Sequence, residues 1–225
     1  MKFIAASSNN YSKQNIPPAP YFRKKFTIDF VAESCIIKIA TPGFYRLFIN
    51  GTEITKGALA PYISNPDHFY CFDEYEISEY LNIGENAIGI ILGNGFSNPC
   101  FHTLGLQEIT ECSPVKAALS LCAENGDKKF CLESDSTFKT APSPLLFDMY
   151  RYGVVYDARL EIKGWNLADF DDSLWTNAVE TTAPEGELVP CAANPIICKK
   201  ELFPVSVTKQ SDFYYLHTSL LPNSS

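Results

Sequence analysis

Apolar and polar residues alternate with a period of two along much of the chain, which predicts β-strands rather than helices. In the string YFRKKFTIDF, the residues Phe22, Lys24, Phe26, Ile28 and Phe30 share one parity, and mainly charged or polar residues fill the other. This alternation predicts a strand with one buried face. No segment longer than about ten residues has a strong helical period.

Turn signals separate the apolar runs at short intervals. Pro42-Gly43 lies between two such runs, and Asn50-Gly51 ends the second, which is a strong signal for a tight hairpin. Gly84 and the tetrad Glu124-Asn125-Gly126-Asp127 mark further turns. Short strands with frequent turns are typical of all-β folds, and we expect a jelly-roll β-sandwich of two antiparallel sheets.

Three segments are expected along the 225 residues. Residues 1–15 are mostly polar and are expected to form a loosely ordered lead-in. Residues 16–205 are expected to form one β-sandwich module, and 206–225 a linker or the start of a following domain. A second small sandwich around the string FDDSLW remains an alternative.

Composition and charge exclude several classes of function. Apolar residues make up 46% of the chain, which is enough for a packed core, and the formal net charge is -8. An acidic surface repels phosphate backbones, so no nucleic-acid partner is expected. No apolar run is long enough to span a membrane, and the apolar part of MKFIAASSNN is too short for a signal peptide. We therefore expect a cytoplasmic location, although a leader removed by processing would leave the same sequence.

Eight cysteines leave the redox state open. They form no CxxC pair, and several lie in apolar strand contexts such as SCIIKIA and ALSLCA. A chain of this length does not need disulfides to fold, so buried free thiols in a reducing compartment are the expectation. The even count keeps disulfides as the alternative.

Several strings together resemble a known family. The strings INGTEI and GENAIGI are shared widely among accessory domains of glycoside hydrolases, and here they resemble a galactose-binding-domain-like jelly roll. The string SPLLFDMYRYGVVYDARLEIKGW narrows the resemblance. In this order they are similar to the N-terminal region of bacterial α-L-rhamnosidases, over roughly residues 20–205.

The resemblance implies one module of a multidomain enzyme. In that family, β-sandwich modules precede an (α/α)6 barrel that carries the catalytic acids, and some members bind rhamnose and calcium on an accessory sandwich. The chain shows no series of long amphipathic helices, so we expect no catalytic residues in it and a catalytic domain in the same polypeptide. Family members commonly have an acidic residue at Val154 and often have Trp at Phe96. Both departures weaken a sugar site.

Paired carboxylates are the groups that glycoside hydrolysis requires. Asp148, Asp157 and Glu161 are close in sequence, with a turn at Gly153 between the first two. The alternative is structural, because Asp157 is placed to form a bidentate ion pair with Arg159. We favour the structural interpretation.

Sugar binding needs an aromatic plate and a few directional polar groups. Asp148, Tyr152 and Tyr156 are the preferred contacts, and Asp157, Arg159 and Asn94 complete the candidate set for a rhamnose-containing glycan. Asn94 lies in a Gly-Asn-Gly turn that suggests either a ligand rim or only a tight turn. The tyrosines have an alternative role as half-buried strand residues.

The string DFDDSLW raises the possibility of calcium, because hard cations bind clustered carboxylates. Asp169, Asp171 and Asp172 lack the spacing of an EF-hand loop. We expect instead a surface turn in which Trp175 fills part of the core. No cofactor is assigned, and calcium is kept as an open candidate.

Three functions remain. The first is an accessory module that binds or positions rhamnose-containing glycans, and the second is a structural module that packs against a catalytic barrel. The third, a stand-alone hydrolase, is disfavoured because no nucleophile and base are spaced to act together.

Overall fold

The computed structural model describes residues 1–9, 11–12, 17–95, 111–149 and 153–218. Within them the chain is nearly all β, with short 3-10 turns at Ser78–Tyr80 and Ala158–Leu160. The strands are β1 (Phe3–Ala5), β2 (Tyr11–Ser12), β3 (Pro20–Ile28), β4 (Ser34–Ala40), β5 (Phe44–Ile49), β6 (Thr52–Glu53), β7 (Phe69–Glu76), β8 (Gly84–Gly93), β9 (Glu111–Cys112), β10 (Lys116–Asn125), β11 (Lys128–Glu133), β12 (Lys139–Pro142), β13 (Leu145–Met149), β14 (Gly153–Tyr156), β15 (Thr176–Asn177), β16 (Val179–Thr181), β17 (Glu187–Pro190), β18 (Pro204–Gln210) and β19 (Phe213–Thr218).

Two sheets form the predicted sandwich. One has the strand order β16-β1-β10-β4-β7-β17, with β11 also paired to β10, and the other has the order β15-β12-β3-β8-β5-β6. Apolar residues of both sheets interleave in one buried core, among them Ile37 and Leu121 from the first sheet and Leu47 and Ile88 from the second. The all-β sandwich is therefore confirmed.

One strand departs from the expected antiparallel order. β17 adds to the edge of the first sheet in parallel to β7, with Glu187 opposite Phe69 and Pro190 opposite Phe72. The strand arrives from a distant part of the chain, after residue 186, so no tight hairpin fixes its direction. The first sheet is mixed for this reason.

The expectation of a loosely ordered lead-in is wrong for the start of the chain. Phe3, Ile4 and Ala5 are buried, and their strand lies between β10 and β16. Three residues are too few to show a period of two, so their apolar character was not readable as a strand. The sandwich therefore begins well before residue 16, at Phe3.

The first long strand has two buried faces at its start. Phe22 and Phe26 enter the main core as predicted, but Tyr21 and Arg23 are also buried on the opposite face. The segment 162–175 covers that face, where Tyr21 stacks on Trp165 with ring centroids 4.2 Å apart. Trp175 also packs against Tyr21, with ring centroids 5.9 Å apart, which confirms its expected place in a packed turn.

The expectation of free thiols needs a correction. Cys122 and Cys131 lie directly opposite each other on β10 and β11 and form a disulfide. Cross-strand partners are close enough for such a bond, and only the register reveals the pairing. The thiols of Cys35 and Cys71 are free and buried, as expected, and Cys191 and Cys198 are also free.

The last described strands form a separate hairpin. β18 and β19 pair only with each other, and their apolar residues are exposed, including Val205, Phe213 and Leu216. In the described part of the chain, no helix is long and apolar enough to cross a membrane.

Candidate functional site

A groove of about 610 Å³ opens beside the predicted sugar contacts. We call it the apolar groove, because most of its lining consists of apolar side chains and glycines. Its walls come from the start of β5, the hairpin β13–β14, the loop at 57–59 and the segment 196–198. The lining residues are Phe44, Tyr45, Arg46, Glu53, Gly57, Ala58, Leu59, Ile91, Gly93, Leu145, Asp148, Met149, Gly153, Val154, Ile196 and Cys198.

Asp148 and Asn94 are brought together by the fold. The backbone N–H of Asn94 donates to one carboxylate oxygen of Asp148 at 2.6 Å, and its side-chain amide donates to the other at 2.6 Å. A side chain at position 93 would collide with the same carboxylate, which explains the glycine before Asn94. Burial raises the pKa of Asp148, and the two donors oppose that rise. Its carboxylate therefore fixes the floor of the groove.

A polar rim borders one side of the apolar groove. Arg46 donates from two nitrogens to the two carboxylate oxygens of Glu53, at 2.8 and 2.5 Å. Tyr156 is exposed nearby, and its hydroxyl donates to Glu161 at 2.6 Å. The hydrogen bond to Glu161 raises the pKa of Tyr156, whereas the positive charge of Arg46 lowers it. The Arg46–Glu53 pair and the Tyr156–Glu161 pair therefore interact electrostatically.

Asp157 and Arg159 form the bidentate pair that the structural interpretation predicted. Two guanidinium nitrogens of Arg159 reach Asp157 at 2.8 and 2.6 Å, and the carboxylate also accepts the backbone N–H of Arg159. The pair lies on the surface at the start of the second 3-10 turn. Each of the three candidate catalytic carboxylates, Asp148, Asp157 and Glu161, thus has a hydrogen-bond donor beside it.

The remaining predicted contacts have different outcomes. Tyr152 and Phe96 lie outside the described residues. Val154 lines the apolar groove with its side chain largely exposed, so this position adds an apolar surface to the groove. The sugar-binding role of all six candidate residues stays a prediction.

The acidic turn serves a structural purpose. Asp172 lies 3.3 Å from the guanidinium of the buried Arg23, and Asp171 accepts the backbone N–H of Ser173. Among the described residues, no group of three His, Cys, Asp or Glu side chains is placed to hold a metal ion. Calcium binding therefore stays a prediction from sequence resemblance.

A second cavity adjoins the apolar groove, with a volume of about 530 Å³. We call it the acidic cleft, since Asp73 and Glu74 of β7 line it, together with residues such as Tyr62. The hydroxyl of Tyr45 donates to Asp73 at 2.6 Å and lies 2.6 Å from the hydroxyl of Tyr75. Ala58, Leu59 and Ile196 line both cavities and form their common wall.

Arg46 and Glu53 were missed by the sequence reasoning, although a signal for them exists. The Asn50-Gly51 turn pairs Phe48 with Glu53 across the hairpin. Arg46 lies two residues before Phe48 and therefore on the same face. The hairpin alone could have placed the two charges as diagonal neighbours.

Comparison with solved structures identifies the architecture. The α-L-rhamnosidase from Dictyoglomus thermophilum superposes with a TM-score of 0.81 and 31% identity, over 95% of this chain and 24% of that one. The Streptomyces avermitilis α-L-rhamnosidase complexed with L-rhamnose gives a TM-score of 0.76 at 21% identity, over 87% of this chain and 19% of that one. The second likeness is one of fold alone.

Sequence comparison gives the same family. An α-L-rhamnosidase of Formosa agariphila is 35% identical over 200 residues, which are 86% of this chain and 21% of that protein. An α-L-rhamnosidase of Alteromonas sp. is 23% identical over 91% of this chain. The chain thus spans about a fifth of the length of the curated relatives it matches. The family model of the α-L-rhamnosidase N-terminal domain matches residues 31–200, and the chain belongs to that family.

Proposed function

We propose that this chain is a non-catalytic accessory module of an α-L-rhamnosidase, and that its apolar groove holds rhamnose-containing glycans near a catalytic domain. The observation that carries the proposal is the combination of a mostly apolar lining and a polar rim in one open groove. Ligand sites of proteins commonly have this composition, with a few polar groups that fix orientation.

The chemistry of a 6-deoxyhexose fits these surfaces. Such a sugar has one methyl group and one apolar ring face, which would lie against Leu145, Met149 and Val154. Its hydroxyls both donate and accept, so Arg46 can donate to them and Glu53 can accept from them. The Arg46–Glu53 pair would open or share its hydrogen bonds with the sugar.

The state of the carboxylates supports a separate catalytic domain. Hydrolysis requires an acid and a second carboxylate facing each other across a bound glycosidic bond. Asp148 is buried under two donors of Asn94, and Asp157 is held by Arg159. We therefore assign hydrolysis to another part of the parent polypeptide. The module would raise the effective concentration of glycan near that part.

Calorimetric titration with L-rhamnose tests this proposal. The chain without substitutions, called the parent chain below, and the variants Arg46→Ala and Lys129→Ala would each be titrated with and without calcium. Lys129 forms an exposed pair with Glu124 on β10 and β11, so it is a matched surface control. Saturable heat in the parent and the control, with a loss of at least tenfold in affinity for Arg46→Ala, is the expected result. Tyr152→Ala in the same series tests the aromatic contact predicted from sequence.

An absence of heat at tens of millimolar sugar would contradict glycan binding. The proposal would then reduce to its second form, a structural module that packs against the catalytic barrel.

The exposed apolar hairpin favours this second form independently. Among the described strands, β18 and β19 pair only with each other, and a lone two-stranded hairpin is marginally stable in water. Val207 faces Leu216 across the hairpin, and both are more than half exposed. Contiguous apolar surface of this kind marks contact sites with other domains.

A dye experiment tests the structural role. The chain is expected to bind a hydrophobic dye, and Val207→Ser with Leu216→Ser is expected to remove much of that signal. Addition of the catalytic region of an α-L-rhamnosidase relative should displace the dye from the parent chain. Unchanged dye binding in the double variant would contradict a role for this hairpin.

A further inference from the structure

We propose that Cys71 and Cys191 form a second, reversible disulfide, which joins the edge strand β17 to β7. This disulfide would be a covalent modification of the module, and its formation does not depend on glycan binding.

The register of the two strands places the cysteines on one face. Val189 lies opposite Cys71 in the parallel ladder, and Cys191 follows Val189 by two residues. Side chains two residues apart on an extended strand point to the same side of the sheet. The backbone N–H of Cys191 donates to the carbonyl of Phe72 at 2.8 Å, so the strand geometry continues as far as this residue.

The two thiols are neighbours in the folded chain. Burial raises the pKa of Cys71 to about 11, and the adjacent thiol of Cys191 adds to the rise through its charge and a side-chain hydrogen bond. Cys71 is buried, whereas Cys191 is partly exposed and borders the acidic cleft. An oxidant in solution can therefore reach Cys191 first.

The Cys71–Cys191 bond can form by thiol–disulfide exchange with oxidised glutathione. The Cys191 thiolate attacks one glutathione sulfur, which forms a mixed disulfide and releases one glutathione as its thiol. The Cys71 thiolate then attacks the Sγ of Cys191, which releases the second glutathione. Two electrons and two protons pass from the protein to the glutathione disulfide. The high pKa of Cys71 makes the second step slow at neutral pH, so a mildly alkaline buffer is appropriate.

The bond would stabilise a weakly held part of the fold. β17 has only four residues at a sheet edge, and the chain after it forms the wall common to both cavities. Within that wall, the backbone N–H of Ala58 donates to the carbonyl of Ile196 at 2.8 Å, which fixes the segment after β17 to the loop at 57–59. A disulfide at Cys191 would tie the start of this segment to a buried strand. The closed loop is long, which favours a large effect on stability.

Peptide mapping provides the test. The protein would be equilibrated at pH 8.5 over a series of glutathione redox ratios, and free thiols would then be blocked with N-ethylmaleimide. Cleavage after acidic residues without reduction yields peptide 68–73, in which Cys71 is the only cysteine. It also yields peptide 188–201, which contains Cys191 and Cys198, so the experiment uses a Cys198→Ser background.

The expected result is a cross-linked pair of peptides 68–73 and 188–201 at oxidising ratios. Oxidation should also raise the midpoint of thermal unfolding by several degrees more in Cys198→Ser than in Cys198→Ser with Cys191→Ser. The Cys122–Cys131 bond serves as the internal reference in every digest.

Separate alkylation of Cys71 and Cys191 at the most oxidising ratio would overturn the proposal. A lasting mixed disulfide of Cys191 with glutathione would overturn it equally, because the second exchange would then not occur in the folded chain.

Discussion

Asn94 holds both carboxylate oxygens of Asp148, one through its backbone N–H and one through its side-chain amide, each at 2.6 Å. This double contact joins the residue after β8 to strand β13 and shapes the floor of the apolar groove. Asp148 was selected from sequence as a sugar contact, and the structure gives it a partner within the protein.

Truncation of Asp148 should destabilise the chain. Asp148→Ala removes the acceptor of two buried donors on Asn94, and a donor left unsatisfied in the interior costs about 1–3 kcal/mol. We expect a decrease of that size in the free energy of unfolding, measured by urea denaturation. Asp157→Ala is the control, because its ion pair with Arg159 lies at the surface and only its cap of a short 3-10 turn is lost, so a smaller decrease is expected there. Equal losses in both variants would contradict the assigned role of Asp148.

Arg23 should anchor the segment that covers β3. Its guanidinium is fully buried and donates to the carbonyls of Leu167 and Phe170, at 2.5 and 3.1 Å. Asp172 lies 3.3 Å away and supplies the opposite charge. Arg23→Met leaves these acceptors without their donor, and we expect a loss of about 3 kcal/mol in unfolding free energy.

Tryptophan fluorescence gives a local measure of the same change. The chain has two tryptophans, Trp165 and Trp175, which both belong to this segment and pack against Tyr21. Arg23→Met should shift their emission to longer wavelength, whereas Lys129→Met at an exposed ion pair should leave it unchanged. A native emission spectrum in Arg23→Met would show that the segment does not depend on Arg23.

Glu76 should contribute to the loss of stability in acid. Partial burial raises the pKa of Glu76, but donors on Ser78, Cys35 and Ser34 outweigh it and hold the pKa below its usual range. A carboxyl group with a depressed pKa stabilises the fold above its unfolded pKa of about 4.5 and loses that contribution as the pH falls through the folded value.

A comparison of the parent chain with Glu76→Gln tests the direction of this pH dependence. The difference in their unfolding free energies should be largest above pH 5 and should disappear towards pH 3. Burial raises the pKa of Asp148, so the effect of this residue on stability has the opposite pH dependence. Asp148 is present in both proteins, and its effect therefore cancels in the difference. A difference that grows as the pH falls would contradict the account.

Sequence reasoning predicted the features that depend on local pattern. The period of two in YFRKKFTIDF and the Asn50-Gly51 turn each identified an element correctly, because side-chain alternation and turn conformation are properties of neighbouring residues. The sequence strings that resemble α-L-rhamnosidases, such as INGTEI and GENAIGI, predicted the β-sandwich. They also predicted that the chain belongs to the α-L-rhamnosidase N-terminal domains.

Features that depend on distant parts of the chain could not be predicted in the same way. The burial of Arg23 follows from coverage by residues about 140 positions later, and the Cys122–Cys131 bond follows from strand register. The partner of Asp148 is likewise 54 residues away. Each is decided by tertiary packing, which overrides the local pattern of charge and polarity.

The most direct test of the central claim is to locate the binding of L-rhamnose on the module itself. Amide ¹H–¹⁵N spectra would be recorded as L-rhamnose is added to the parent chain. If the apolar groove binds the sugar, we expect saturable amide chemical-shift changes at residues that line it, above all Arg46, Glu53 and Val154. The residues of β18 and β19 should be unaffected. Spectra that stay unchanged at tens of millimolar sugar, or shifts confined to other surfaces, would contradict this claim.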